Sequence, residues 1–172
     1  MSEPIAVDDT ASLIADLTAR SLTVAVAESL TGGALTAELT RPAGASAVVI
    51  GGVVVYATQL KQTMIGVDAD LLESEGPVHP VVAEQLAQGV RSRLAVDGRP
   101  ADIGVATTGV AGPDSQGGRS PGTVFVAVAT DGGVSVRELN LRGNRAGIRA
   151  QTVAAALDAV AHAVEDAAKT RE

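Results

Sequence analysis

The chain has 172 residues, a net charge of −7, 46% apolar but only 1% aromatic residues, and no cysteine. That length suits one domain whose core needs no covalent staple, and the missing cysteine excludes disulfides, thiolate catalysis and cysteine zinc sites. The acidic balance argues against general nucleic-acid binding, and no apolar run is long enough to span a bilayer. With no signal-peptide pattern in Met1–Thr10 either, a cytoplasmic protein with a close-packed core of Val, Ala, Leu and Ile is expected.

Thr10–Arg20 predicts a short amphipathic helix capped by Asp8, Asp9 or Thr10, with Leu13, Ile14 and Leu17 inward. Thr23–Ala27 predicts a strand, closed by the polar turn Glu28–Gly33, and Ala34–Thr40 a helix that stops before Pro42. Ala47–Tyr56 is an almost unbroken β-branched run, as in a strand covered on both faces. Its Gly51–Gly52 pair points to a bulge or a close backbone approach. Helical patterning returns at Ala57–Ile65 and Asp68–Ser74, and a longer helix starts near Pro80 with Val82, Leu86, Val90 and Leu94 on one face. Ala101–Thr107 is a further buried strand, followed by a glycine-rich loop, Thr108–Gly122. Asp131-Gly132-Gly133 between Thr123–Thr130 and Val134–Leu141 predicts an antiparallel hairpin. The last helix runs from about Ala146 to Ala168. Strands alternating with helices, then a hairpin, predict a single α/β domain over residues 1–172 (core from about Thr10 to Ala168), a three-layer α/β/α arrangement around a mixed, mainly parallel sheet.

In open α/β sheets ligands sit beyond the carboxyl ends of the strands, and the polar clusters fall there. In Glu28–Gly33 the paired glycines and the helix start favour an anionic ligand, although a tightly packed helix cap explains the segment as well. It is neither a Walker A loop nor a dinucleotide fingerprint. Lys61 stands out because the chain has two lysines against eleven arginines, and a desolvated lysine can lose its proton where arginine effectively cannot. It is a candidate base, with a solvated helix charge as the alternative. Tyr56, the sole tyrosine, sits at the polar end of an apolar strand. Ser46, in Gly44-Ala45-Ser46, precedes that strand, which at its usual rise would hold Ser46 and Lys61 about 30 Å apart. Only a bend at Gly51–Gly52 or a second subunit could bring them together. The loop Thr107–Asp114 could bind a carbonyl or sugar, and Arg142, Asn144, Arg145 and Arg149 gather where a phosphate would meet a helix start. His79 reads as a helix cap or flank, and His162 as structural or solvent-facing. The two form no metal-ligand pair.

AESLTGG at Ala27–Gly33, GAS at Gly44–Ser46, GGVVVYATQLK at Gly51–Lys61, and TTGVAGPD with PGTV within Thr107–Val124 together resemble the CinA C-terminal domain family. That family includes stand-alone nicotinamide-nucleotide amidases. The resemblance runs from about Thr10 to Ala168 and implies the same three-layer mixed-sheet fold. It implies hydrolysis of the carboxamide of nicotinamide mononucleotide, with Ser46 as nucleophile, Lys61 as general base and Tyr56 assisting. Ser29, Thr31, Gly32, Gly33, Thr108 and Gly109 fall on its substrate-pocket motifs, and Arg145 on a phosphate contact. Oxyanion donors are expected near Gly109 or Gly33.

No cofactor or metal is expected, and the partners expected are a pyridine-nucleotide substrate and further copies of the chain, with no nucleic acid or membrane. Three positions depart from the family pattern: Leu30 for a cysteine, Gly76-Pro77-Val78-His79 for G-A-V-S, and Asn144 for an aspartate. A non-catalytic nucleotide-binding or regulatory module of the same fold is the alternative function.

Overall fold

The computed structural model describes residues 8–169, with side chains described for residues 8–166. The ends beyond the expected core, before Thr10 and after Ala168, fall largely outside that range. Five strands, β1 (Val24–Glu28), β2 (Val49–Val54), β3 (Ile103–Gly109), β4 (Thr123–Thr130) and β5 (Gly133–Asn140), form one sheet in the order β2-β1-β3-β4-β5. Strand β1 pairs parallel with both β2 and β3, whereas β3–β4 and β4–β5 are antiparallel. The sheet is mixed, as the alternation followed by a hairpin predicts.

Two cores cover the two faces. On one, α1 (Asp9–Arg20), α2 (Ala34–Thr40) and α6 (Arg145–Lys169) bury Leu17, Leu35, Ile148 and Val160 against Val24, Val26, Val105 and Val126. On the other lie α3 (Thr58–Leu60) with the π turn Lys61–Ile65 that continues it, α4 (Ala69–Ser74) and α5 (Pro80–Arg93). There Leu86 and Val90 meet Ala25, Ala27, Ala106 and Phe125. Alternation along β1 thus sends valines to one core and alanines to the other. The small-residue face lets α5 lie close: a Cβ on Gly104 would stand 2.1 Å from the Ala87 carbonyl oxygen.

Local chemistry sets the element ends. The Asp8 side chain accepts from the Ala11 amide at the start of α1, and Ser21 closes it in the left-handed region with φ 54°. His79 Nδ1 accepts from the Val81 amide, with Pro80 in the first turn of α5. The expected strand 47–56 is shorter at both ends, because residues 45–47 wind into a 3₁₀ turn and Tyr56 lies past β2. Both readings of Gly51–Gly52 are realised. The β1–β2 register slips between Val24/Val49 and Ala25/Gly51, and a Cβ on Gly52 would fall 2.0 Å from Thr36 Oγ1. Among the described residues no helix is long and apolar enough to cross a membrane.

Candidate active site

The parallel half of the sheet places the ends of β1, β2 and β3 side by side. Glu28 ends β1 fully buried, and its carboxyl oxygens accept from the amides of Gly33, Leu35 and Thr36 and from Thr36 Oγ1. The start of α2, read in the sequence as a seat for an anion, is therefore already satisfied from within the chain. The turn between them is held on other sides too. Thr31 Oγ1 lies 2.8 Å from Thr107 Oγ1, and Arg149 reaches from α6 to the carbonyls of Leu30 and Thr31 at 3.0 and 2.8 Å. Ser29, the first residue past β1, is buried in this frame.

Lys61 comes to Ser29 from the neighbouring strand. Beyond β2 the Val55 amide donates to the Glu28 carbonyl, and the chain then turns into α3 and the π turn. Lys61 is 1% exposed. Its Nζ is 2.7 Å from the Val55 carbonyl, 3.1 Å from Ser29 Oγ and 3.5 Å from the Tyr56 carbonyl. Burial disfavours the ammonium form and lowers its pKa to about 8. A lysine poised near neutrality within hydrogen-bond reach of a serine hydroxyl is the arrangement that activates a serine nucleophile.

A cavity of about 230 Å³ opens onto this pair. Tyr56, Thr108, Gly109, Gly112, Asp114 and Arg145 form other parts of its lining. Arg145, exposed at the start of α6, donates to the Gly112 carbonyl at 2.9 Å and to the Tyr56 hydroxyl at 3.1 Å. Tyr56 therefore meets Lys61 through its backbone carbonyl, while its ring and hydroxyl belong to the pocket mouth.

Ser46 is elsewhere. It is exposed in the 3₁₀ turn before β2, whereas Lys61 follows β2, so a six-residue strand about 20 Å long lies between them. Within the chain the expected Ser46–Lys61 pair does not form. The glycine pair bulges the strand by a residue but does not fold it back, and Ser29 stands where Ser46 was expected. Thr31, Gly32 and Gly33 shape the turn rather than line the cavity: the Thr31 hydroxyl faces Thr107, the Gly32 amide donates to the Ser29 carbonyl, and the Gly33 amide donates to Glu28. Gly33 therefore has no N–H free for an oxyanion. The Thr108 hydroxyl donates to the Pro77 carbonyl, tying the cavity wall to the 76–79 turn.

The three departures from the family pattern have local explanations. Leu30 is buried in the core beneath the turn. His79 caps α5. The Asn144 side chain accepts from the Gly147 amide, a capping role that asparagine and aspartate fill about equally. Sequence reasoning missed Glu28 as an internal acceptor and Arg149 as a loop brace. A charged residue closing an apolar strand just before a helix was the available signal for Glu28. Among the described residues no group of three or more His, Cys, Asp or Glu side chains could hold a metal ion.

A mixed-sheet α/β/α domain with a buried lysine facing a serine at the ends of its parallel strands defines the class. The chain belongs to the CinA C-terminal domain family, whose profile matches residues 8–164. It is 47% identical over 144 residues to a CinA-like protein of Frankia casuarinae, covering 84% of this chain and 32% of that protein. It is 40% identical over 146 residues to a putative competence-damage inducible protein of Bacillus subtilis, covering 83% and 34%. The chain thus spans about a third of the length of these curated relatives. The crystal structure of competence/damage inducible protein CihA from Agrobacterium tumefaciens superposes with a TM-score of 0.83 at 34% identity, covering 95% of this chain and 99% of that one. A CinA superfamily protein from Klebsiella pneumoniae gives 0.86 at 28% identity, covering 92% and 97%.

Proposed function

We propose that this domain is an amidohydrolase that converts nicotinamide mononucleotide and water to nicotinate mononucleotide and ammonia, with Ser29 as nucleophile and Lys61 as general base. The observation that carries the reading is the 3.1 Å approach of the buried Lys61 Nζ to Ser29 Oγ. Neutral Lys61 takes the serine proton as Oγ bonds to the carboxamide carbon. The carbonyl electron pair moves to oxygen, then returns as the C–N bond breaks, and Lys61 delivers its proton to the departing ammonia. Water then attacks the acyl-serine ester, with Lys61 taking its proton and returning one to Ser29. The amide of Leu30, which follows the nucleophile, belongs to a residue lining the cavity and lies outside the Glu28 and Ser29 bonds described above, is suited to hold the oxyanion. Tyr56 and Arg145 at the mouth favour an aromatic ring and a phosphate. The substrate itself rests on the family resemblance.

The test is ammonia release from nicotinamide mononucleotide by wild type, Ser29→Ala and Lys61→Met. Loss by about 10³-fold or more is expected in both variants, and undiminished turnover in either would overturn its assigned role.

A further inference from the structure

The two ends of Tyr56 have different surroundings. Its carbonyl stands 3.5 Å from Lys61 Nζ, beside the proposed chemistry. Its hydroxyl lies at the cavity mouth, where a terminal nitrogen of Arg145 donates to it at 3.1 Å. The direction of that bond is fixed, because a guanidinium has donors and no acceptor. The phenol oxygen therefore accepts, and its own proton points away from Arg145. Among the described residues no group accepts that proton, and no described bond links the hydroxyl to Ser29 or Lys61. Tyr56 is 58% exposed and lines the cavity, so the hydroxyl is accessible to a ligand.

The guanidinium that holds it is open as well. Arg145 donates only to neutral oxygens, the Tyr56 hydroxyl and the Gly112 carbonyl, and has further N–H groups to spare. Arg41, Arg91 and Arg137 each face a carboxylate, whereas among the described residues none is paired with Arg145. Asp114, the one carboxylate in the cavity lining, makes no described bond to it. A phosphate at the mouth would meet the spare N–H donors and the phenol O–H side by side, in charge-assisted bonds stronger than those to neutral oxygens.

We infer that the Tyr56 hydroxyl, oriented by Arg145, is a hydrogen-bond donor to the ligand's phosphate and sets a preference for the phosphomonoester over the uncharged nucleoside. The inference rests on the proposed function, which puts nicotinamide mononucleotide in this cavity. It moves the hydroxyl from the chemical step, where the family resemblance places it, to recognition. The two ends of one residue then match the two ends of the ligand, with the amide near Lys61 and the phosphate at the mouth.

The test measures ammonia release by wild type and Tyr56→Phe from nicotinamide mononucleotide and from nicotinamide riboside, which lacks the phosphate. Phenylalanine keeps the ring and removes only the hydroxyl. With the mononucleotide, KM is expected to rise about tenfold or more, as for a lost hydrogen bond to a charged group, while kcat stays within about twofold. With the riboside the two proteins should agree within about twofold. A fall in kcat with KM unchanged, or an equal loss on both substrates, places the hydroxyl in the chemistry and overturns the inference while leaving the amidase reading intact. If wild type releases no ammonia from the mononucleotide, the amidase reading fails, and binding of ribose 5-phosphate decides the inference alone. Calorimetry should then show ribose 5-phosphate held by wild type, held about tenfold or more weakly by Tyr56→Phe, and ribose not held. Tyrosine emission, which reports on Tyr56 alone in a chain with one tyrosine and no tryptophan, should change as the phosphate binds. Equal affinity in the two proteins, or no binding by wild type, overturns the inference.

Discussion

At the scale of single residues, Lys61 joins burial to function. Its folded pKa of about 8 lies below the usual 10.5, so between those values the unfolded chain binds more protons than the folded one. Stability from this group therefore rises with pH across that window, and the cost of burying the charge is fully present below about pH 8. Urea unfolding should show the stability of wild type relative to Lys61→Met increasing from pH 8 to pH 10. The proposed catalysis shares that titration, because only the neutral amine accepts a proton. Amide hydrolysis should climb with pH to a plateau above about 8, and an activity flat from pH 6 to 9 would contradict Lys61 as base. Arg145 acts differently. It lines the cavity but has no contact with Ser29 or Lys61 among its described hydrogen bonds. Losing one charged contact to a phosphate is worth about 1.5–3 kcal/mol, so Arg145→Ala should raise KM about 10- to 100-fold with a much smaller change in kcat.

At the scale of elements, the sequence was most informative where period and composition agreed. The helices at Asp9–Arg20 and Pro80–Arg93 and the hairpin around Gly132–Gly133 follow from patterning and turn chemistry that tertiary contacts reinforce. The site was less legible, since Ser29 and Lys61 are 32 residues apart and meet only because β1 and β2 pair in parallel. Residues that follow two adjacent parallel strands are neighbours, whereas Ser46 and Lys61, on either side of one strand, are not. That rule was available from the sequence once β1 and β2 were assumed to pair, but nothing in periodicity alone fixes the pairing. Packing between elements gives its own prediction. Gly104→Ala would press a methyl into the Ala87 carbonyl across the β3–α5 contact. Overpacking of this kind costs about 1–3 kcal/mol, which should appear as a lower urea midpoint with an unchanged m-value.

At the scale of the whole molecule, the two ends of the sheet are chemically unequal. The end after β1 and β3 carries Ser29, Lys61 and Arg145 around its cavity. The other end has a larger cleft of about 530 Å³ beside Asp102, Asp131 and the Gly132–Gly133 turn. Among the described residues its lining contains no lysine, arginine or histidine, so size does not point to the proposed site. Ser46, exposed ahead of β2, is remote from the Ser29–Lys61 pair within the chain. Ser46→Ala should keep amide hydrolysis within about twofold of wild type, as expected for a surface substitution away from the chemistry. A loss comparable to that of Ser29→Ala would show that Ser46 enters the site by a route the single chain does not contain.

The brace from α6 to the turn after β1 also has a consequence for synthesis. The serine is at position 29 and the arginine that braces the turn after it at position 149, and β3 can join β1 in the sheet only after the four helices α2 to α5 have been made. A nascent chain can collapse early around β1 and β2, but the pocket lacks a wall until the final helix emerges from the ribosome and docks. On the proposed reading, reactivity at Ser29 arrives late and all at once, and a truncated translation product would carry the serine without the means to use it.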